Sequence, residues 1–158
     1  MSPVVTALDQ IGETEMKTMM DTIRELGRFK TLWKAIRSED LLKVLNGTGP
    51  FTLFAPTDEA FAHLYSDILE VLFRDKIKLS DVLTDHMIPE YITIEEALNR
   101  ATIQTASGRT LKFSQNGNII KVDQAHILSP NIVCSNGIVH VVDAVLIRKK
   151  FGTKVQET

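Results

Sequence analysis

The stretch FTLFAPTDEAF, residues 51 to 61, places a hydroxyl and two carboxylates directly after a short apolar run. Thr57, Asp58 and Glu59 are side chains of the types that serve as nucleophiles and as general acids or bases. They also suit the start of a helix, because a threonine hydroxyl caps a free amide and carboxylates are stabilised at the positive end of the helix dipole. The preceding proline presets the turn. We therefore predict that a strand over 51–54 stops here and a helix begins, with no catalytic role for the stretch.

Four histidines are the other side chains with the chemistry for catalysis or metal binding, and they are His63, His86, His126 and His140. None follows another at the H-x-H or H-x-x-x-H spacing that can place two rings on one metal, so we predict no metal site. The chain also lacks a nucleophile elbow, a phosphate loop and a dinucleotide fingerprint, so we predict no cofactor.

Three of these histidines have a carboxylate within three positions, in the pairs Asp85 with His86, Asp123 with His126 and His140 with Asp143. Such close neighbours on strands or loops need not meet, so none of the pairs is assigned a catalytic role. His140 lies in the apolar run IVHVV, where alternate residues share its side of a strand. We predict a buried, neutral ring that is hydrogen-bonded as part of the fold.

The elements that must position these side chains are helical in the first half of the chain. Apolar residues recur at helical spacing over 15–26, around 29–36, over 61–72 and over 79–87. Gly27 is expected to end the first of these helices, and Pro89 the last. Thr93 followed by Glu96 is a capping box that predicts a short helix to about residue 101. Ser38 with the two acids after it predicts a further short helix through Leu45.

The second half of the chain is rich in β-branched residues punctuated by glycine and asparagine, which predicts strands. Segments 111–114 and 119–122 flank Asn116-Gly117 and indicate a β-hairpin. Further strands are predicted over 127–129, 132–134 and 138–147. The early strand at 51–55 must join them, because an isolated strand cannot satisfy its backbone groups. The pattern predicts one domain of the α+β class.

The composition is that of an ordinary globular domain, with 158 residues, 44% hydrophobic and 24% charged. The formal net charge of -2 gives no overall field for nucleic acid, so no nucleic-acid partner is expected. Cys134 is the only cysteine, which excludes an intramolecular disulfide, and its apolar neighbours predict burial. We find no signal peptide in this chain and no run near the roughly 20 apolar residues of a transmembrane segment.

Two stretches together resemble the signature motifs of the fasciclin-type domain family: GPFTLFAPTDEAF at 49–61 and NGIVHVVDAVLI at 136–147. The resemblance covers residues 17–148, which leaves 1–16 as an N-terminal extension and 149–158 as a basic C-terminal tail. It implies a fasciclin-like α+β fold, in which a wedge-shaped β-sandwich core has several helices packed around it.

The resemblance also implies roles for the residues that match the motifs. The positions that would chiefly hold the fold together are Thr57, Asp58, Phe61, Asn136, Gly137, His140 and Asp143. Family members are typically noncatalytic adhesion or matrix-interaction modules, secreted or at the cell surface. We therefore expect a protein, extracellular-matrix or surface-glycan partner, and an extracellular or cell-surface location.

Animal members of the family use two residue pairs for adhesion, a tyrosine-histidine pair and an aspartate-isoleucine pair. The matching positions here are Asp85-His86 and Asn131-Ile132, which form our candidate interaction surface. Integrins engage acidic ligands through a bound cation, which the neutral amide of Asn131 would serve poorly. Integrin binding is therefore not expected.

Two alternatives to an adhesion module remain open from the sequence. One is a small hydrolase or ligand-handling protein that uses His86 or His140 beside an acid. The other is an intracellular scaffold. The first predicts turnover that depends on a histidine, and the second predicts a location inside the producing cell.

Overall fold

The computed structural model describes residues 17–38, 45, 47, 49–64 and 66–147. The helices that lie within these ranges are α1 (Met19–Leu26), α2 (Lys30–Ser38), α3 (Asp58–Ala62), α4 (Ser66–Arg74), α5 (Lys76–Thr84) and α6 (Ile94–Arg100). The strands are β1 (Phe51–Pro56), β2 (Met87–Ile88), β3 (Thr102–Gln104), β4 (Thr110–Asn116), β5 (Ile119–Val122), β6 (Ala125–Cys134) and β7 (Gly137–Val142).

The seven strands form one sheet in the order β2-β1-β7-β6-β5-β4-β3. The first strand, β1, pairs in parallel with the last, β7, with Leu53 opposite Val139, and the other pairs are antiparallel. The N–H of Ala106, just after β3, donates to the carbonyl of Met87 in β2 at 2.7 Å. The two ends of the sheet therefore nearly meet, and the prediction that the early strand joins the later ones is confirmed.

The core lies on both faces of the β1–β7 pair. Leu53 and Val139 point to one face and pack with apolar side chains of α1 to α5. Phe54 and Val142 point to the other and pack with β3, β4, β5 and α6. The rings of Phe54 and Phe113 lie 5.6 Å apart across this second layer. The predicted α+β class, with a sandwich core and helices packed around it, is confirmed.

Local capping explains where the helices begin and end. The hydroxyl of Thr18 accepts from the N–H of Asp21 at the start of α1, and Gly27 ends that helix with φ 71°, the left-handed conformation that glycine adopts without strain. The hydroxyl of Thr93 accepts from the N–H of Glu96 at 3.2 Å, so the predicted helix after Thr93 is confirmed. The helix predicted after Ser38 falls mostly outside the described residues.

The predicted helix over 79–87 was too long. Helix α5 ends at Thr84, and Met87 belongs to β2, where it pairs with Leu53. Met87 packs in the same core cluster as the buried residues of α5, so its spacing continued the helical pattern although its backbone is extended.

Strand boundaries in the second half also differ from the prediction. The two segments 127–129 and 132–134 are parts of one strand, β6, whose register with β7 shifts between Ile127 and Ile132. The final strand, predicted over 138–147, ends at Val142. The short strand β3 was not singled out by its sequence.

The hairpin between β4 and β5 is confirmed, but its turn sits one residue later than expected. Asn116 pairs with Ile119, so the two central residues are Gly117 and Asn118. Gly117 has φ 64°, and it occupies the first central position, where a type II′ turn requires glycine. The buried positions Phe113 and Val122 are opposite each other and set this register.

Candidate functional site

The hydroxyl of Thr57 and the carboxylate of Asp58 accept hydrogen bonds from backbone amides in the first turns of helices. Thr57 Oγ1 accepts from the N–H of Ala60 at 3.1 Å and caps α3. Asp58 Oδ1 accepts from the N–H of Thr31 at 2.8 Å, which is a free amide in the first turn of α2. Phe61 is buried in the helical layer of the core. Asp58 therefore joins two helices, a contact that spacing alone could not predict.

Asn136 of the second motif ties three segments of the chain together. Its Oδ1 accepts from the N–H of Met19 at 2.9 Å, and its Nδ2 donates to the carbonyls of Leu45 and, at 3.1 Å, of Gly47. Its own carbonyl accepts from the N–H of Phe51 at 3.1 Å. With the side chain buried, these bonds satisfy the whole amide group.

Gly137 marks the closest approach of β7 to β1. A Cβ placed on Gly137 would overlap the carbonyl oxygen of Phe51 and crowd the end of the Met19 side chain. The backbone oxygen cannot move without breaking the parallel pairing of the two strands. Only glycine fits this position.

His140 is fully buried, as predicted, and both ring nitrogens have backbone partners. Its Nε2 donates to the carbonyl of Ile92 at 2.8 Å, and its Nδ1 accepts from the N–H of Asn131 at 3.0 Å. The ring stacks on Phe54 with centroids 5.3 Å apart. Burial lowers the pKa of His140, which keeps the ring neutral. This imidazole has no free nitrogen with which to take a proton from a substrate.

His86 is held in the same way with the opposite tautomer. Its Nδ1 donates to the carbonyl of Val82 at 2.7 Å, and its Nε2 accepts from the N–H of Leu146 at 2.9 Å. Burial lowers the pKa of His86 to about 4. The ring is therefore neutral near pH 7 and joins α5 to the segment after β7.

Arg109 contacts three distant segments of the chain, and nothing in its local sequence singles it out. Its Nη1 donates to the carbonyl of Leu146 at 2.8 Å and lies 3.6 Å from the carboxylate of Asp85. Its Nη2 donates to Asp123 at 2.9 Å. Asp85 also accepts from the hydroxyl of Ser107. The partners are 14 to 37 positions away along the chain, so no local pattern signalled this cluster.

The structure pairs the histidines and carboxylates differently from the three pairs considered in the sequence. Asp143 accepts from both the backbone N–H and the ring Nδ1 of His126, at 2.7 and 3.0 Å, so Asp143 meets His126 and not His140. Asp123 bonds to Arg109 instead of His126. Both His126 and Asp143 are partly exposed. The contact between His126 and Asp143 could not be predicted from the sequence, because it forms only when β6 lies beside β7.

The four residues of the candidate interaction surface differ in their exposure to solvent. Asp85 is 0% exposed and His86 2%, so neither side chain is available to a partner. Asn131 and Ile132 lie on β6 and are half-buried. Asp85 and His86 are therefore removed from the surface, since the fold uses them to hold Arg109 and Leu146.

Asn131 has a structural task that explains its residue type. Its φ of 60° is in the left-handed region, which asparagine tolerates better than most residues. Oδ1 accepts from the N–H of Ile94 at the start of α6, at 2.9 Å, and Nδ2 donates to Glu95 at 3.0 Å. An aspartate here would place a second carboxylate against Glu95.

Two exposed apolar side chains on β6 were not recognised from the sequence. Leu128 is 45% exposed and Val133 48%, on either side of Asn131 and Ile132. Along this part of β6 only β7 pairs with the strand among the described residues, because β5 pairs with β6 only at Ala125 and neighbouring His126. The register of β6 with β7 shifts along this segment, so buried and exposed side chains do not alternate regularly in the sequence. The pattern that usually identifies the exposed face of a strand is therefore missing.

Within the described ranges, no group of three or more histidine, cysteine, aspartate or glutamate side chains is placed to hold a metal ion. Cys134 is buried, as predicted, and its burial raises the pKa of the thiol. None of the helices in the described ranges combines the length and the apolar character needed to cross a membrane.

The chain is similar to known proteins in both sequence and structure. A family model described as Fasciclin domain matches residues 27–148. Protein sll1483 of Synechocystis sp. is 36% identical over 142 residues, which cover 89% of this chain and 78% of that protein. Periostin of Homo sapiens is 32% identical over 141 residues, which cover 89% of this chain but 16% of periostin.

A solved structure has the same fold. It is the FAS1 domain pair from the insect cell adhesion molecule fasciclin I, with a TM-score of 0.70 and 16% sequence identity. The match covers 85% of this chain and 52% of that one. This chain thus spans about half of the solved pair and a small part of periostin.

Proposed function

Because the chain belongs to the fasciclin domain family, we propose that it is a noncatalytic binding module that contacts a protein or a surface glycan. The observation that carries the proposal is the use of His86 and His140. All four ring nitrogens are hydrogen-bonded to backbone groups of the fold. A general base needs a nitrogen within hydrogen-bonding reach of the substrate, and neither ring offers one.

The contact surface in this proposal is the segment of β6 from Leu128 to Val133, in which Leu128 and Val133 are exposed and Asn131 and Ile132 are half-buried. The two exposed aliphatic side chains lie on either side of Asn131, whose backbone has a positive φ. When a partner covers exposed apolar side chains, their removal from water lowers the free energy. Burial of these side chains would therefore favour binding. Integrin recognition through a bound cation is not part of the proposal, because Asn131 is neutral and its amide is held by Glu95.

The proposed location is outside the cell or at its surface. It is supported by the solved relative, which is described as a cell adhesion molecule. Fractionation of the native producing cells tests this part. Recovery of the protein in the cytosolic fraction alone would instead favour the intracellular scaffold.

The binding proposal is tested with the purified chain on arrays of matrix proteins, surface proteins and glycans. We expect saturable binding to at least one class, and we expect Val133→Asp to weaken it by about tenfold or more because a charge would be buried at the contact. Ile119→Asp is the matched control, since Ile119 is a similarly exposed aliphatic residue on β5, 52% exposed.

Two results would count against this proposal. One is the absence of binding to every class of partner. The other is equal loss of binding in the Val133→Asp and Ile119→Asp variants, which would show that β6 is not the contact surface. Melting temperatures of both variants should stay close to that of the wild-type chain, because each site is exposed.

A further inference from the structure

The corner between α4 and α5 exposes apolar side chains that the fold does not use. Ile77 is 76% exposed, the largest fraction among the exposed large hydrophobic residues of the described chain, and Val71 is 41% exposed. Together with Arg74, Asp75 and Lys76 they line an open groove. Leaving an isoleucine in water at a helix start has no structural benefit, because the capping at this corner depends on Asp75 alone.

The charged groups at the corner leave a local excess of positive charge. Asp75 accepts from the N–H groups of Ile77 and Lys78 at 3.1 and 3.2 Å, so its carboxylate is directed at the backbone of α5. Glu70 pairs with Arg74 at 3.2 Å. No ion pair to Lys76 or Lys78 is present within the described ranges, and these two cations flank the exposed isoleucine.

The other acids of the two helices form no ion pair with these lysines among the described residues. Asp67 is in the first turn of α4, at the end opposite Arg74. Asp81 lies three residues after Lys78, a helical spacing that would allow contact, but no ion pair joins the two side chains.

We propose that this corner docks on the surface of an anionic lipid bilayer, with Ile77 inserted among the lipids and Lys76 and Lys78 at the level of the headgroups. The chemistry is complementary, because an aliphatic tip suits the acyl boundary and lysine side chains extend their amines to anionic headgroups. A protein partner is disfavoured by size. A specific protein interface buries roughly 800 Å² on each side, far more than two aliphatic side chains and a few cations present.

This contact is short-ranged and reversible. The whole chain has a formal net charge of -2 and so provides no long-range attraction to an anionic surface. The lysines at the corner act only within about 10 Å at ordinary ionic strength. The docking is thus expected to be weak, salt-sensitive and separate from the binding proposed for β6.

The test is co-sedimentation of the full chain with two kinds of vesicle, phosphatidylcholine alone and phosphatidylcholine mixed with phosphatidylglycerol. We expect binding to the anionic vesicles only, with a fall of about tenfold in apparent affinity for Ile77→Asp. Ile119→Asp is the matched control and should bind as the wild-type chain does. The double variant Lys76→Glu, Lys78→Glu should lose binding to anionic vesicles, and added salt should weaken binding of the wild type.

Three outcomes would overturn the proposal. They are no binding of the wild-type chain to anionic vesicles, equal binding to both kinds of vesicle, and equal effects of the substitutions at Ile77 and Ile119. Ile77→Ser serves as a second variant that removes the apolar tip without adding a charge, and melting temperatures confirm that each variant is folded. A failure here leaves the β6 test unaffected, because neither experiment uses the other's variants except the shared control.

Discussion

His86 and His140 are fixed in opposite tautomers by the backbone groups around them. His140 donates through Nε2 to Ile92, and His86 donates through Nδ1 to Val82. In each case the remaining nitrogen accepts a backbone N–H, from Asn131 or from Leu146. A neutral imidazole can donate from one ring nitrogen and accept at the other, so the buried ring leaves neither nitrogen without a hydrogen-bond partner.

Replacement of His140 by alanine is expected to lower the free energy of unfolding by about 1 to 3 kcal/mol. The change would leave the N–H of Asn131 and the carbonyl of Ile92 without their partners and open a void beside Phe54. Chemical denaturation of wild type and variant measures the difference. His126→Ala is the control, since its ring is partly exposed and its pairing with Asp143 is expected to contribute less than about 1 kcal/mol. Equal stabilities of wild type and His140→Ala would contradict the structural role.

In the segment after β7, side chains and not a neighbouring strand form the hydrogen bonds to the backbone of Leu146. Val145 and Leu146 are buried, yet the strand ends at Val142. The N–H of Leu146 is bonded by His86 and its carbonyl by Arg109. The sequence predicted that the strand continues through 147, and it could not reveal that two side chains from distant elements satisfy these two backbone groups instead.

Stability is expected to fall as the pH is lowered from about 7 to about 5. Burial lowers the pKa of His86 from 6.5 to about 4 in the folded chain, so between these values the unfolded chain binds more protons. The stabilising contribution of His86 is complete above the unfolded pKa and is lost as the pH falls towards the folded one. Between pH 6.5 and about 4 this titration lowers the free energy of unfolding by up to about 3 kcal/mol.

Urea denaturation at several pH values checks this dependence. His86→Gln replaces the ring by a group that does not titrate, so the slope should decrease in this variant, although its stability near pH 7 is also expected to be lower. The slope should not vanish, since burial lowers the pKa of His140 in the same direction. A slope that is identical in the wild type and His86→Gln would show that His86 does not couple protonation to folding.

The molecule as a whole uses polar side chains of its two motifs for folding and leaves several apolar side chains exposed elsewhere. Thr57, Asp58 and Asn136 all bond to backbone groups of other segments or helix ends. Exposed apolar groups remain on β6 and at the corner of α4 and α5. The first set belongs to the motifs that indicate the family, whereas the second lies outside both motifs. Binding specificity is thus proposed to depend on residues that the family motifs do not contain.

The sequence predicted what local chemistry determines, and missed what distant contacts determine. The cap at Thr57, the end of α1 at Gly27 and the burial of His140 all follow from neighbours within a few positions. Asp85 was placed on the candidate interaction surface but is buried, because its partner Arg109 approaches from another part of the chain. Long-range ion pairs of this kind leave no periodic signal in a single sequence.

We infer that the side chains suited to chemistry serve the fold. A screen for hydrolysis of ester, phosphate and glycan substrates tests this role, with the wild-type chain and the variants His86→Gln, His140→Gln and His126→Ala. His126 is included because its ring is partly exposed beside Asp143. We expect no turnover above the protein-free control for any of the four proteins. Turnover by the wild type that one substitution abolishes, in a variant that is still folded at the assay temperature, would contradict this inference.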